Sequence, residues 1–370
     1  MGEIFDYVDE MGPTKIIHIH EPSHGLKAVL VVDNVAAGPA IGGLRMAPDV
    51  STRECARLAR AMTLKNALAE IPHGGAKSVI FGDPRMPRED KEKLVRELAC
   101  ALGNIDEYIF GPDMGTNEEC MAWVNDEIGR SVGLPRELGG IPLDEIGATG
   151  WGVSQAVDVA LSYCDFDLAG ARVVVQGFGA VGRNAARFLA ARGALLVGAA
   201  DSRGTIYHAD GLDIDGLTEL KRKGSSVIDY NHGHKMKRDE VIDIECEIWI
   251  PAARPDVIHE DNVHRLNTRL VVEGANIPIT YGAEKILHER GVLSIPDVIA
   301  NAGGVICAAM EYQHAGQALA MQVVEEKVRA NTARILETAK ADNILPRDAA
   351  VALATERVRR AMALRRWSTF

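Results

Sequence analysis

Two lysines and an aspartate stand where chemistry would want them. Lys65 closes the run Met62-Thr63-Leu64-Lys65, and Lys77 follows twelve residues later at the end of His73-Gly74-Gly75-Ala76-Lys77. A lysine is seldom placed inside a fold unless an anion or a reaction holds it there. Between 51 and 70 the apolar Cys55, Leu58, Met62 and Ala69 recur at helical spacing, and Lys65 falls on their stripe, so it is expected to point inward. Lys77 comes after two glycines and before Val79-Ile80-Phe81, where the backbone can turn sharply and bring an ammonium to the floor of a cleft. Asp113 lies in the tight run Gly111-Pro112-Asp113-Met114-Gly115-Thr116. An anion clamp, an amine and a carboxylate could together bind an acid and move a proton. Taken singly, each has a plainer reading: a snorkelling lysine at a helix edge, a solvated loop charge and a helix cap.

A second motif gives the three residues a context. Gly177-Phe178-Gly179-Ala180-Val181-Gly182 follows the β-branched strand Arg172-Val173-Val174-Val175-Gln176 and opens a helix. Its glycines let the backbone approach a pyrophosphate, which then rests on the positive end of the helix dipole. Asp201 ends the next strand nineteen positions after the last glycine, where a dinucleotide site wants an acid for the ribose. Asp201 would repel a 2′-phosphate, whereas the adjoining Ser202 and Arg203 could hold one. NAD is the expected cofactor, with NADP as the alternative.

The elements that must position these groups can be traced along the chain. Residues 15–20 and 28–32 read as strands, and Ser51 with Glu54 forms a capping box opening the helix of Lys65. An amphipathic helix covers about 91–102, and 108–110 is a short buried strand. Thr116 and Glu119 read as another capping box, leaving Asp113 between a strand end and a helix start, where ligand groups collect. From about Leu143 strands and helices alternate: 172–176, a helix to about 192, and 195–200 make a βαβ unit, and 247–250, 270–272 and 292–295 supply further strands. The region after Gly316 reads as helical and ends in Arg365-Arg366-Trp367.

Composition narrows the classes of function. The 370 residues favour two domains, and 25% charged with 47% hydrophobic residues is the balance of a globular enzyme. A formal net charge of -11 without a basic stripe argues against nucleic acid. No apolar run approaches membrane-spanning length, and the first residues lack a basic region leading an apolar one, so neither membrane nor secretion is expected. Six cysteines stand singly, with no CxxC and no metal-ligand spacing, and read as reduced core residues of a cytoplasmic protein that binds no metal.

Together these runs resemble the amino acid dehydrogenase superfamily of glutamate, leucine, valine and phenylalanine dehydrogenases. The resemblance spans most of the chain: Gly38-Pro39-Ala40-Ile41-Gly42-Gly43-Leu44-Arg45-Met46, the two lysine runs, the Asp113 run and Ala148-Thr149-Gly150-Trp151-Gly152. It continues through the glycine-rich turn, Pro251-Ala252-Ala253, Gly274-Ala275-Asn276 and Asn301-Ala302-Gly303-Gly304-Val305. It implies an α/β fold of two domains with a cleft between: a substrate-binding and oligomerisation domain over 1–140, joined by helices over 331–370, and a Rossmann-type domain over 141–330. It also implies a homo-oligomer, a hexamer or octamer, and reversible oxidative deamination of an L-amino acid to its 2-oxo acid and ammonia. Lys65 would hold the substrate carboxylate, helped by the Gly42 backbone and Met62. Lys77 would activate the water that attacks the imine, and Asp113 would shuttle the amino proton. Thr149 would bond the nicotinamide amide and Asn276 would orient ring and substrate, with Ala252, Ala253 and Asn301 completing the cofactor site.

Two departures bear on the substrate. The glutamate enzymes that this chain resembles carry a lysine at the position of Ile41 and a serine at that of Ala308, each a ligand of the γ-carboxylate. A carboxylate buried against Ile41, Val305 and Ala308 would go unpaired at a cost of several kcal/mol. An apolar amino acid is therefore expected, branched-chain or, given the room left by Gly111 and Ala308, aromatic. Other runs, among them Gly274-Ala275-Asn276-Ile277-Pro278 and Asp201-Ser202-Arg203-Gly204, look closer to glutamate dehydrogenase, which is the alternative. A catalytically silent or NAD-sensing subunit is a reading of another class, and the presence of Lys65, Lys77 and Asp113 tells against it.

Overall fold

The structure, a computed structural model, describes residues 4–364 and divides into two compact units. Arg365-Arg366-Trp367 lies outside the described residues. The first unit holds the chain up to Pro142, Val305–Ala320 and the chain from Val351; the second holds Leu143–Gly304 and Met321–Ala350.

In the first unit five strands, β1 (Lys15–Glu21), β2 (Leu26–Asn34), β3 (Ala40–Ala47), β4 (Gly74–Phe81) and β5 (Tyr108–Pro112), lie in the order β1-β2-β4-β3-β5. β1, β2 and β4 are antiparallel neighbours, while β3 runs parallel to β4 and β5. Alternation along each strand sends side chains to two faces. On one, Leu30, Val32, Leu44, Met46, Ile80 and Phe110 pack against α2 (Arg88–Ala101) and α3 (Glu118–Ile128). On the other, Val29, Val31 and Val79 meet Cys55 and Ala59 of α1 (Thr52–Leu68).

Three local expectations change. Gly74 and Gly75 make no turn; both lie inside β4, where a Cβ at 75 would come within 2.0 Å of the Thr63 backbone nitrogen, so they admit α1 rather than bend the chain. The N-cap of α3 is Asn117, whose side chain accepts from Cys120 N, because Thr116 is drawn away to the Leu44 carbonyl at 2.7 Å. The buried stripe of α1 runs through Cys55, Ala59, Thr63 and Asn66, leaving Leu58 and Met62 half-buried. Counting apolar residues alone overlooks Thr63, which donates to Asp33 at 2.6 Å, and Asn66, which donates to the Gly74 carbonyl at 2.7 Å.

The second unit opens with α4 (Leu143–Ile146) and α5 (Ala148–Ala160). Then come β6 (Arg172–Gln176), α6 (Ala180–Ala190), β7 (Leu195–Ala200), β8 (Thr205–Tyr207), α7 (Ile214–Arg222), β9 (His234–Met236), β10 (Ile248–Pro251), β11 (Leu270–Val272), α8 (Tyr281–Glu289), β12 (Leu293–Ile295) and α9 (Asp297–Ala300). The sheet order is β12-β11-β10-β6-β7-β8-β9, with the first five strands parallel and β8 and β9 antiparallel. The parallel strands are buried on both faces, which is why they read as unbroken apolar runs. Because β6 leads to β7 on one side and lies beside β10 on the other, the order reverses there, opening a crevice past the strand ends.

Three helices complete the chain: α10 (Gly303–Tyr312), α11 (Gln317–Asp342) and α12 (Pro346–Leu364). The sequence reading places 305–320 with the nucleotide domain and 331–350 with the first; the structure groups them the other way. Polar anchors account for this. Buried Glu311 accepts from the backbone nitrogens of Gly133, Leu134 and Ile141, whereas Met321 O accepts from the Trp151 indole, and Arg329 bonds Gln155 and Asp158.

Candidate active site

In the first unit the strand register writes the site. Pairing puts Ile41, Gly75 and Ile109 in one row across β4, β3 and β5; two residues on along the same alternation stand Gly43, paired with Gly111, and Lys77, then Arg45, paired with Val79, while Asp113 directly follows the end of β5. This is the α1 side of the sheet. Glycines at 43, 75 and 111 strip side chains from the middle of this face, and the space falls to Lys77. A Cβ on Gly43 would stand 2.8 Å from the Asp113 Cβ and 3.2 Å from the Lys77 Nζ.

Lys77, only 6% exposed, places its Nζ 2.7 Å from Asp113 Oδ2. The same oxygen accepts from Arg45 Nε at 3.0 Å, and Arg45 Nη1 reaches Glu54 Oε1 at 2.5 Å. Burial pushes the Asp113 carboxyl up, but the Lys77 ammonium and the Arg45 guanidinium outweigh it and hold the group at about 2. The aspartate is therefore ionised, held between Lys77 and Arg45. Its loop is fixed by Thr116, whose hydroxyl accepts from Asp113 N at 3.0 Å. Lys65 is also buried, 8% exposed, in the last turn of α1, with Met62 one turn before it. Gly42 approaches the Ala76 carbonyl so closely that a Cβ would come within 1.8 Å, and its own carbonyl accepts from the Tyr108 hydroxyl at 3.0 Å.

The sequence reading gives Arg45 no role of its own and Glu54 only that of a helix cap. Period two from Gly43 in an extended segment would have found Arg45, had the glycines not disguised β3 as a loop. The remaining first-unit candidates belong to the same unit. Ile41 is buried, Gly111 would carry a Cβ 3.5 Å from Val132 Cγ2, and Val305 and Ala308 lie on α10. One turn beyond Ala308, Tyr312 packs edge-on against His73, two residues before Gly75, which brings that helix beside the Ile41 row.

In the second unit each glycine of the turn has its own reason. Gly177 has φ +100 and a Cβ there would strike the Ala252-Ala253 peptide at 2.7 Å; a Cβ at 182 would meet the Gly177 carbonyl at 2.2 Å; around Gly179 the space is open. Phe178 is buried, and Ala180 and Val181 begin α6. A cavity of about 730 Å³ runs from Gly177 and Gly179 past Ala252 and Ala253 to Asp201 and Ser202. A turn that needs glycine at 177 and 182, at a helix start in the β6–β10 crevice, fits the pyrophosphate of a dinucleotide.

Asp201 is more committed than the sequence implies. Its Oδ1 accepts from Ser226 Oγ and Arg203 N, and its Oδ2 from Lys221 Nζ at 2.8 Å and Val227 N, which fills the capacity of a carboxylate. Burial raises the Asp201 carboxyl, yet the Lys221 bond and the other donors bring it down to about 2. The Arg203 guanidinium is turned to Asp229. Thr149 lies in the first turn of α5, and Asn301 Nδ2 donates to the Asn276 Oδ1 at 3.1 Å, so these two asparagines act on one turn.

Two sequence profiles cover nearly the whole chain: "Glu/Leu/Phe/Val dehydrogenase, dimerisation domain" matches residues 13–130, and "Glutamate/Leucine/Phenylalanine/Valine dehydrogenase" matches 139–366. The chain belongs to this dehydrogenase family. Among its relatives is a glutamate dehydrogenase of Aeropyrum pernix, 38% identical over 359 residues, 90% of this chain and 85% of the relative. An NADP-specific glutamate dehydrogenase of Saccharolobus shibatae is 37% identical, covering 75% of this chain and 69% of the relative. The catabolic NAD-specific glutamate dehydrogenase RocG of Bacillus subtilis is 36% identical, covering 82% and 75%. The hetero-hexameric glutamate dehydrogenase of Thermus thermophilus, solved in a Leu-bound form, superposes with a TM-score of 0.86 at 30% identity, covering 96% of this chain and 91% of that one. The protein is thus an amino acid dehydrogenase with a nicotinamide cofactor.

Proposed function

We propose that this chain oxidatively deaminates an apolar L-amino acid. The contact between Lys77 Nζ and Asp113 Oδ2 on a face cleared by glycines carries the reading of the chemistry. Lys65 holds the substrate carboxylate, with Met62 and the Gly42 backbone beside it. Asp113, ionised, takes the proton of the substrate ammonium so that the nitrogen lone pair can form the imine as hydride leaves the α-carbon. Bound nicotinamide supplies the hydride acceptor. Once the Lys77 ammonium has released its proton, which is the net proton of the reaction, its free amine takes a proton from the water that adds to the imine carbon, and its contact with Asp113 returns that proton to the departing ammonia. Thr149 and Asn276 orient the ring at the other end of the reaction, and burial of the lysines keeps bulk water from competing.

For the side chain of the substrate, Ile41 supports an apolar group. It occupies the row next to Lys77, is 3% exposed and offers nothing to a second carboxylate, and Val305 and Ala308 add no donor. A second reading, glutamate, draws its support from the relatives: those described above are glutamate dehydrogenases, and by descent they favour it over an apolar substrate. Initial rates over glutamate, leucine, valine, phenylalanine and tryptophan decide between them, repeated with Lys77→Ala and Ile41→Lys. Apolar preference, its near-complete loss in Lys77→Ala, and glutamate turnover gained in Ile41→Lys are expected. A wild-type preference for glutamate rejects the apolar pocket, and substantial turnover by Lys77→Ala rejects that lysine as the base.

NAD is the preferred cofactor in this reading, since the ionised Asp201 opposes a 2′-phosphate; Lys221 softens the opposition, so NADP is used more slowly rather than refused. The protein acts in the cytoplasm as a homo-oligomer assembled through its first unit, and turnover by the purified chain alone separates this from a silent subunit of a hetero-oligomer. Among the described residues no helix is long and apolar enough to cross a membrane.

A further inference from the structure

We propose that Arg347 is a positioning residue: with Glu273, Glu284 and Asp297 it forms a buried clamp that fixes the turn carrying Asn276, an inference that rests on the role given to Asn276 above. The four groups come from distant parts of the second unit. Glu273 follows β11, Glu284 lies on α8, Asp297 opens α9, and Arg347 is in the first turn of α12. The Arg347 guanidinium reaches all three carboxylates: Nε bonds Glu284 at 2.7 and 2.8 Å, Nη1 bonds Asp297 Oδ1 at 2.9 Å, and Nη2 bonds Glu273 Oε2 at 2.8 Å.

As a source of stability the arrangement is poor. Glu273 is fully buried, and a single cation cannot balance three carboxylates removed from water. Burial pushes the Glu273 carboxyl well above its ordinary range, and its Oε1 meets no hydrogen-bond partner, so the cluster also carries a buried polar atom left unsatisfied. What the cluster does provide is fixed geometry next to the cofactor-side turn. Glu273 directly precedes Gly274-Ala275-Asn276. Asp297 Oδ2 accepts from Ile277 N at 2.9 Å, and Ile277 stands at φ +48, a left-handed conformation that a β-branched residue adopts only when its surroundings impose it. Asn301 Nδ2 also donates to the Ala275 carbonyl at 3.0 Å. Two of the three holds on the turn, Glu273 and Asp297, are therefore held in turn by Arg347.

The test compares the full-length wild type with Arg347→Lys, which keeps the charge but cannot span three carboxylates. Hydrogen exchange is followed over 273–279 and over 172–190, with NADH affinity by fluorescence and kcat and KM on the best substrate. Faster exchange confined to 273–279, a kcat lowered at least tenfold, and an NADH Kd within threefold of wild type are expected, because the pyrophosphate cradle is untouched. A kcat within twofold of wild type, or protection lost evenly across both segments, overturns the proposal. If Arg347→Lys cannot be recovered folded, Arg347→Met combined with Glu273→Gln and Glu284→Gln cuts the buried charge to the single carboxylate of Asp297; the same local exchange and kcat loss support the clamp, and wild-type values reject it. Should the wild type turn over no amino acid, the proposed function fails, while exchange at 273–279 still decides the clamp.

Discussion

Lys77 and Asp113 form a pair whose charges are set by their neighbours. The Asp113 carboxyl is depressed from 3.8 to about 2, so the bonds to its ionised form stabilise the fold fully above pH 3.8 and are lost as pH falls toward 2. The difference amounts to about 2 kcal/mol. A pH titration of stability should show this loss in wild type and not in Asp113→Asn. In the same way, the pH profile of kcat/KM should show no ionisation of Asp113 above pH 4; an acid limb there that vanishes in Asp113→Asn would contradict the assignment. Gly43 is the second residue on which the geometry depends. Its added methyl in Gly43→Ala presses on the Asp113 Cβ and the Pro112 carbonyl, neither of which can swing away, as well as on the Lys77 Nζ, so the end of β5 must shift: a lower stability and a kcat reduced at least tenfold are expected. Circular dichroism beside initial rates checks this, and wild-type rates would show that the face has spare room.

Among the elements, the parallel strands of the second unit were legible because burial on both faces demands β-branched runs, and 270–272 coincides with β11. The glycine-rich turn was legible for the opposite reason, since its first and last glycines, Gly177 and Gly182, each answer a collision. β3 and β4 were hidden by the same residue type. Glycine signals a turn in sequence, but Gly42, Gly43, Gly74 and Gly75 stand in extended strands and serve close approach between elements. Which meaning holds depends on what packs against the strand, and that is tertiary. The lysines and Asp113 could be named from their company, but their mutual contact and the intrusion of Arg45 needed the register. Gly75→Ala tests the packing meaning directly. Its methyl meets the Thr63 nitrogen at 2.0 Å, so α1 must move off β4 or the strand must shift. A loss of about 3 kcal/mol or more in urea unfolding is expected, whereas a turn glycine with ordinary φ would tolerate alanine with little change.

At the scale of the whole molecule, the chain leaves the first unit at Pro142 and returns to it at Val305. A returning segment must be stitched in by contacts that sequence proximity cannot supply, and Glu311 supplies them. It is 6% exposed, and its two oxygens accept from Gly133 N at 2.7 Å, Leu134 N at 3.0 Å and Ile141 N at 2.8 Å. These amides lie in a stretch with little regular structure of its own, so the carboxylate replaces the strand partner they lack. Glu311→Ala would leave up to three backbone donors unpaired, each costing about 1–3 kcal/mol if it stays buried. The expected outcome is a lower Tm and protease cleavage between 130 and 142, while the 172–190 segment keeps its protection from hydrogen exchange. Glu311→Gln, which retains one carbonyl acceptor, should fall between the two. Cleavage spread over both units would mean that Glu311 supports the whole chain rather than the seam where it returns.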